Sequence, residues 1–151
     1  MQKITTFLWF DHQAEEAAAF YTSILPGSRV VEVQPGPDGK PMMVTFELAG
    51  QRYLALNGGP AEFGFSDAIS LLVDCETQEE VDTYWARLTD GGEEGQCGWL
   101  KDRYGLSWQI VPRELPQLLS HPDPAVAGKV AQAMRSMRKI DVRVLREAAA
   151  S

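Results

Sequence analysis

The feature that most constrains this chain is an order of elements that occurs twice. Ile4 to Phe10 (ITTFLWF) is β-rich and apolar on both parities, which predicts a strand covered on both sides. Strong helix formers follow from Gln13 to Leu25, with Ala17, Phe20, Tyr21, Ile24 and Leu25 at helical spacing, and Pro26-Gly27 closes the segment. Ser28 to Gln34 alternates as a strand, Pro35 to Gly39 turns the chain, and Met42–Leu48 and Tyr53–Leu56 pair back before Asn57-Gly58-Gly59-Pro60 breaks the pattern. The same order then returns: an apolar strand from Ala68 to Cys75, a helix capped at Thr77 in an S/T-x-x-E pattern with Glu80, an apolar stripe of Val81, Tyr84, Trp85 and Leu88, and a stop at Gly91-Gly92. Two short strands and a strand over Leu106–Val111 complete it. The expectation is an α+β fold built from two β-α-β-β-β modules, at about 1–60 and 66–112, offset by about 65 residues. Each module must bury its sheet against its sister, within one chain or between two.

The stretch Gly95–Pro112 (GQCGWLKDRYGLSWQIVP) concentrates the unusual side chains. Alternation along its last strand sends Ser107, Gln109 and Val111 one way and Leu106, Trp108 and Ile110 the other. The second face reads as core. A face holding a glutamine between small or apolar neighbours reads as the wall of a cavity. Lys101-Asp102-Arg103 with Gly105 reads as a charged, solvated turn.

After Pro112 the pattern turns helical over about 113–151: a short turn at Leu115–Ser120, a helix from Pro124 to about Met137, and a last segment from Asp141. Such helices outside a repeat commonly cover a sheet edge or a subunit contact. Charge divides within this extension, at residue 128. Residues 1–128 carry a net −11 and residues 129–151 a net +4, within a total of −7. A basic tail beside an acidic body is suited to dock on it, or on the same body of a second subunit, although a solvated helix face accounts for the charges equally well. The acidic balance opposes binding to nucleic acid. No apolar run approaches the roughly 18 residues needed to cross a bilayer, so no membrane role is expected. Cys75 and Cys97 lack zinc-site spacing, and with no signal peptide ahead of them the expectation is two thiols in a cytoplasmic protein.

The duplicated module, Trp9-Phe10-Asp11, Phe20-Tyr21, the run Ala55–Pro60, the run Cys75–Asp82, and Gly95–Asp102 through Trp108-Gln109 together resemble the vicinal oxygen chelate superfamily, that of glyoxalase I, extradiol dioxygenases and bleomycin-resistance proteins. Within it the chain is most similar to the PhnB-like group, which also carries the label 3-demethylubiquinone 3-methyltransferase. The resemblance spans residues 1 to about 140. It implies a cavity between sheets, a homodimer, and, in catalytic members, a divalent metal held by His or Glu on the first and last strand of each module. Carried over by counting from the shared motifs, those positions fall on Thr6, Tyr53, Ala68 and Gln109. None is His, Asp or Glu, so no metal is expected there. His12 and His121 are the only histidines, one after a strand end and one in the tail, and neither fits. No glycine-rich strand-to-helix turn suits a nucleotide-like cofactor such as S-adenosylmethionine, so no cofactor is expected.

The pocket candidates are Thr6, Leu8 and Phe10 from the first strand, Tyr53, Ala55 and Asn57 from the fourth, Ala68 and Ser70 from the fifth, Ser107 and Gln109 from the last, and Cys97 in the loop before it. Together they describe an apolar, aromatic pocket with a few neutral hydrogen-bonding tips, suited to a small, partly apolar, uncharged molecule. The competing reading is that these side chains simply fill a core. Asn57 is read equally as a ligand contact and as a turn former. Three functions remain open: a metal-independent small-molecule-binding homodimer, an enzyme of the same fold with unrecognised metal donors or with Cys97 or Tyr53 as its reactive group, and a structural dimer without ligand.

Overall fold

The computed structural model describes residues 2–151, which fall into two compact units, Met1–Gly64 and Phe65–Ser151. The first unit runs β1 (Thr6–Phe10), α1 (Ala14–Ile24), β2 (Arg29–Pro35), β3 (Pro41–Leu48) and β4 (Gln51–Asn57). Its sheet has the order β1-β4-β3-β2, with β1 parallel to β4 and the other pairs antiparallel. The second runs β5 (Ser70–Cys75), α2 (Gln78–Thr89), β6 (Glu93–Glu94), β7 (Trp99–Lys101) and β8 (Ser107–Pro112), and its sheet, β5-β8-β7-β6, repeats the plan with β5 parallel to β8. The α+β reading and the duplicated module are therefore as expected from the sequence. Ala68 is a correction: it lies in a turn and the strand starts at Ser70, because the Ala68 amide is drawn to the Ser66 hydroxyl at 3.3 Å.

One helix covers one face of each sheet. In the first unit Ala14, Ala17, Ala18, Tyr21 and Ile24 of α1 are buried against Leu8, Phe10, Val44, Phe46 and Ala55. The small alanines let the helix approach the sheet, and the Tyr21 and Phe46 rings meet at 6.3 Å. The start of α1 is capped from a distance: Gln13 makes no side-chain cap, and the Asn57 amide oxygen accepts from the Ala14 N–H at 2.8 Å. In the second unit Val81, Tyr84, Trp85 and Leu88 of α2 bury against Leu100, Trp108 and Ile110. Thr77 caps α2 by accepting from the Glu80 N–H at 3.2 Å, as its sequence pattern requires.

The opposite faces lack such cover. The expectation that β1 is buried on both sides is overturned, since Phe7 is 50% exposed and Trp9 37% exposed. An apolar run on both parities distinguishes a doubly covered strand from a singly covered one only if a second layer exists to cover it.

The tail forms α3 (Glu114–Leu119), α4 (Pro124–Arg135) and α5 (Val142–Ala150). Leu115, Val130, Ile140 and Leu145 make a core of their own, with Val111 of β8 against it. The basic tail docks on the acidic body of its own unit, with Lys139 2.9 Å from Asp82 and Arg138 3.6 Å from Glu94.

The β7–β8 turn is not simply a solvated one. Asp102 is only 3% exposed, while Lys101 and Arg103 flank it at the surface. Its carboxylate accepts from the Tyr104 and Leu106 N–H groups at 2.8 and 3.1 Å and from the Trp108 indole N–H at 2.9 Å. The turn is thereby tied to the core tryptophan. Replacing Asp102 by Asn sets an amide donor against the indole N–H, and the expected cost is about 2–3 kcal/mol of unfolding free energy. Chemical denaturation followed by tryptophan fluorescence measures it, and a loss below about 0.5 kcal/mol would show that the carboxylate does not organise the turn.

Candidate functional site

Register decides which side chains share the uncovered faces. In the first unit Phe7 pairs with Leu54 and Trp9 with Leu56, while Thr6 pairs with Tyr53, Leu8 with Ala55 and Phe10 with Asn57. The second set is the one facing α1, where Leu8, Phe10 and Ala55 are buried. The placement of Thr6, Leu8, Phe10, Tyr53, Ala55 and Asn57 on a cavity face is therefore corrected. Both parities of β1 and β4 are apolar, so alternation separates the two faces without saying which one the helix takes. Tyr53 stacks on Phe46, with ring centroids 5.4 Å apart, and burial pushes its phenol above the ordinary 10.0. Asn57 uses both ends of its amide for structure, accepting from Ala14 and donating to the Pro41 carbonyl at 3.0 Å.

The open face of the first unit is instead a fixed aromatic corner. The Trp9 ring lies over Gly58 so closely that a Cβ there would stand 2.3 Å from two ring carbons. Its indole N–H donates to the Gly59 carbonyl at 3.1 Å, and Phe63 meets it edge-on at 5.4 Å. Phe7 continues the apolar surface along β1. Phe7 is not singled out by the sequence pattern, whereas Trp9 is readable as a ring that could stack a ligand, and the glycine pair after Asn57 carries a signal for its close approach.

In the second unit the sequence parity matches the register. Ser70 pairs with Ser107, Leu72 with Gln109 and Trp99 with Gln109, all on the face opposite α2. Leu72 is 57% exposed. Gln109 donates to the Ser70 hydroxyl at 3.0 Å, and Ser107 donates to Asp67 at 2.7 Å, with Lys101 3.8 Å from the same carboxylate oxygen. The Gln109 amide oxygen and the Trp99 indole N–H have no partner among the described residues. One acceptor and one donor thus sit on neighbouring strands of a wall that also carries Leu72, two serine hydroxyls and the Asp67–Lys101 pair. A cavity of about 440 Å³ opens here, lined by Asp67, Glu93, Gln96, Trp99 and Lys101. Cys97 is partly buried in the loop beneath it, at φ 58°, and is not one of the lining residues. A larger cleft of about 730 Å³ in the first unit lies between Asp11, His12, Asp38 and Lys40 and reaches Asn57 and Gly59, the residue whose carbonyl holds the Trp9 indole.

Two four-stranded β-α-β-β-β units, each with one helix-covered face and one open face, define the fold of the vicinal oxygen chelate superfamily. The chain belongs to the 3-demethylubiquinone-9 3-methyltransferase family, whose model matches residues 2–111. It is 38% identical to a PhnB protein from Bacillus cereus, named as a candidate 3-demethylubiquinone-9 3-methyltransferase, with a TM-score of 0.70 over 74% of this chain and 99% of that one. Protein PA1353 from Pseudomonas aeruginosa has the same fold at 17% identity, with a TM-score of 0.63 over 74% of this chain and 98% of that one. So does the fosfomycin resistance protein FosX from Listeria monocytogenes, complexed with Mn(II) and sulfate, at 17% identity and a TM-score of 0.53 over 73% and 92% of the two chains. No curated protein matches.

Neither group that this kinship suggests fits the residues present. The open-face pairs of the outer strands, Phe7–Leu54, Trp9–Leu56, Ser70–Ser107 and Leu72–Gln109, offer no carboxylate or imidazole to a divalent ion. Asp74, further along β5, is held by Arg113 at 2.8 Å. Among the described residues no group of three His, Cys, Asp or Glu side chains is placed to hold a metal. For a nucleotide-like methyl donor, the turns into α1 and α2, Asp11-His12-Gln13 and Glu76-Thr77, contain no glycine to bring backbone amides around a phosphate or sugar.

Two outcomes are expected. Gly58→Ala must displace the Trp9 ring, lowering stability by roughly 1–3 kcal/mol and shifting the Trp9 emission, as thermal unfolding and fluorescence against a Trp9→Phe control will read. Unchanged values would mean that the corner is not fixed by this contact. The Cys75 thiol, buried and beside Glu80 and Asp74, is pushed up from 9.0 to about 12. Its folded form therefore holds the proton that the unfolded form releases, so its contribution to stability is complete below pH 9, falls between pH 9 and about pH 12, and Cys75 resists alkylation in the native protein at neutral pH.

Proposed function

We propose that this chain is a metal-independent binding protein for a small, partly apolar, uncharged molecule, working as a cytoplasmic homodimer. The observation that carries the reading is the pair of uncovered sheet faces, which present Phe7, Trp9 and Leu72 beside neutral hydrogen-bonding tips. Exposed apolar surface of this kind on a folded protein marks a place where a ligand or a partner binds. The Trp9 ring is held in place before any ligand arrives, so binding there loses little side-chain entropy. Trp99, Ser70 and Gln109 supply a donor, a hydroxyl and an acceptor, enough to orient a molecule with a carbonyl and a hydroxyl or amide group. The unpaired edges of β1 and β5, the outer strands of their sheets, support pairing with a second copy.

The chemistry of the candidate nucleophiles supports binding over catalysis. Tyr53 is stacked beneath α1 with its proton held, Cys75 is buried and protonated, and neither histidine lies near Cys97 in sequence.

Elemental analysis and native mass spectrometry of tag-free protein purified without chelator are the test. Expected are a dimer mass and no stoichiometric divalent metal, with a small organic molecule either retained or found by thermal shift among neutral aromatic compounds. Gln109→Ala is expected to weaken binding of the compound so identified by about tenfold. Stoichiometric metal would overturn the metal-independent reading; a dimer that no compound shifts would favour a structural role instead.

A further inference from the structure

The family match ends at residue 111, so α3, α4 and α5 are additions to the shared module. Between α4 and α5 the chain from Met137 to Val142 runs between two parts of the second unit. On one side is the loop Gly95–Gly98, which joins β6 to β7 and carries cavity-lining Gln96. Cys97 and Gly98 in that loop are both left-handed, at φ 58° and 85°, which turns their N–H groups away from the sheet. These amides donate to the Met137 and Arg138 carbonyls, each at 2.8 Å. Ile140, fully buried, fills the space beside Gly98, where a Cβ would lie 3.1 Å from the isoleucine Cγ1.

On the other side the segment is gripped by one amide. Gln78, at the first turn of α2, donates to the Ile140 carbonyl at 2.9 Å and accepts from the Val142 N–H at 2.8 Å. Asp82, one helical turn on, accepts from the Gln78 amide at 2.9 Å and from Lys139 at 2.9 Å. Asp82 thereby fixes which way the Gln78 amide faces.

We infer that Met137–Val142 is a clamp that sets the wall of the cavity beside Trp99, and that Gln78 is its positioning residue. The ligand selectivity of this chain is then tuned by an element outside the module it shares with its relatives. That consequence rests on the cavity being the ligand site; the clamp itself does not.

The test is amide hydrogen exchange by NMR on the full chain without ligand. In Gln78→Ala the Cys97 and Gly98 amides are expected to exchange at least about tenfold faster, while the β5–β8 ladder keeps its protection and the Trp99 indole resonance shifts. Gln78→Met keeps the side-chain volume and loses both bonds to the segment. It is expected to change in the same direction, and it provides the readout if the alanine variant does not fold. Unchanged exchange at Cys97 and Gly98, an equal acceleration across the ladder, or an unmoved Trp99 resonance would each overturn the clamp. No ligand enters the measurement, so failure of the clamp and failure of the binding reading are seen separately.

Discussion

A four-stranded sheet has two faces, and in each unit of this protein a single helix covers only one. Everything else follows from that asymmetry. On the covered side the packing is dense and specific: Tyr21 of α1 against Phe46, with alanines between helix and sheet, and Trp85 of α2 on the face that buries Trp108. On the other side apolar side chains stand in the open, which costs solvation free energy unless a ligand or a second sheet takes them up. Trp9 shows that this surface is built and not leftover. Its ring is placed by a glycine that tolerates no Cβ, by a backbone carbonyl and by Phe63.

The same asymmetry explains how much of the molecule was legible in the sequence. Element order, the duplication and the Thr77 cap were readable because each depends on local patterns of two to four residues. The faces of the second unit were readable too, since Ser70, Ser107 and Gln109 alternate with Leu71, Trp108 and Ile110 and polarity labels the open side. In the first unit both parities of β1 are apolar. The alternation of Thr6, Leu8 and Phe10 against Phe7 and Trp9 then carries no sign, and only the position of α1 supplies it. Asp102 was hidden for a different reason. A carboxylate between Lys and Arg in a turn looks solvated, and its burial depends on the indole N–H of Trp108, six residues away across a strand pair.

Asn57, Gln78 and Asp102 share a physical role that no local pattern announces. Each is a polar side chain placed where the backbone leaves hydrogen-bonding groups unsatisfied: the start of α1, the crossing at Ile140–Val142, and the β7–β8 turn. Unsatisfied buried amides are costly, so a side chain that reaches them over long sequence separation stabilises the crossing more than an average hydrogen bond would. The separation, 43 residues for Asn57 to Ala14 and 62 for Gln78 to Ile140, is what makes these partners invisible along the chain.

The docking of the tail shows which kind of interaction dominates. The charge contrast between tail and body is the most visible signal in the sequence, and its ion pairs, Arg138–Glu94 and Lys139–Asp82, do form. Both are solvent-exposed, however, and such pairs are weakened by side-chain entropy and screened by salt. Ile140, Leu145, Val130 and Leu115 are buried together, and each contributes on the order of 1.5–3 kcal/mol by leaving water. Opposite charge therefore selects where the tail lies, and the apolar core with the Gln78 amide holds it there, so salt alone should not release it.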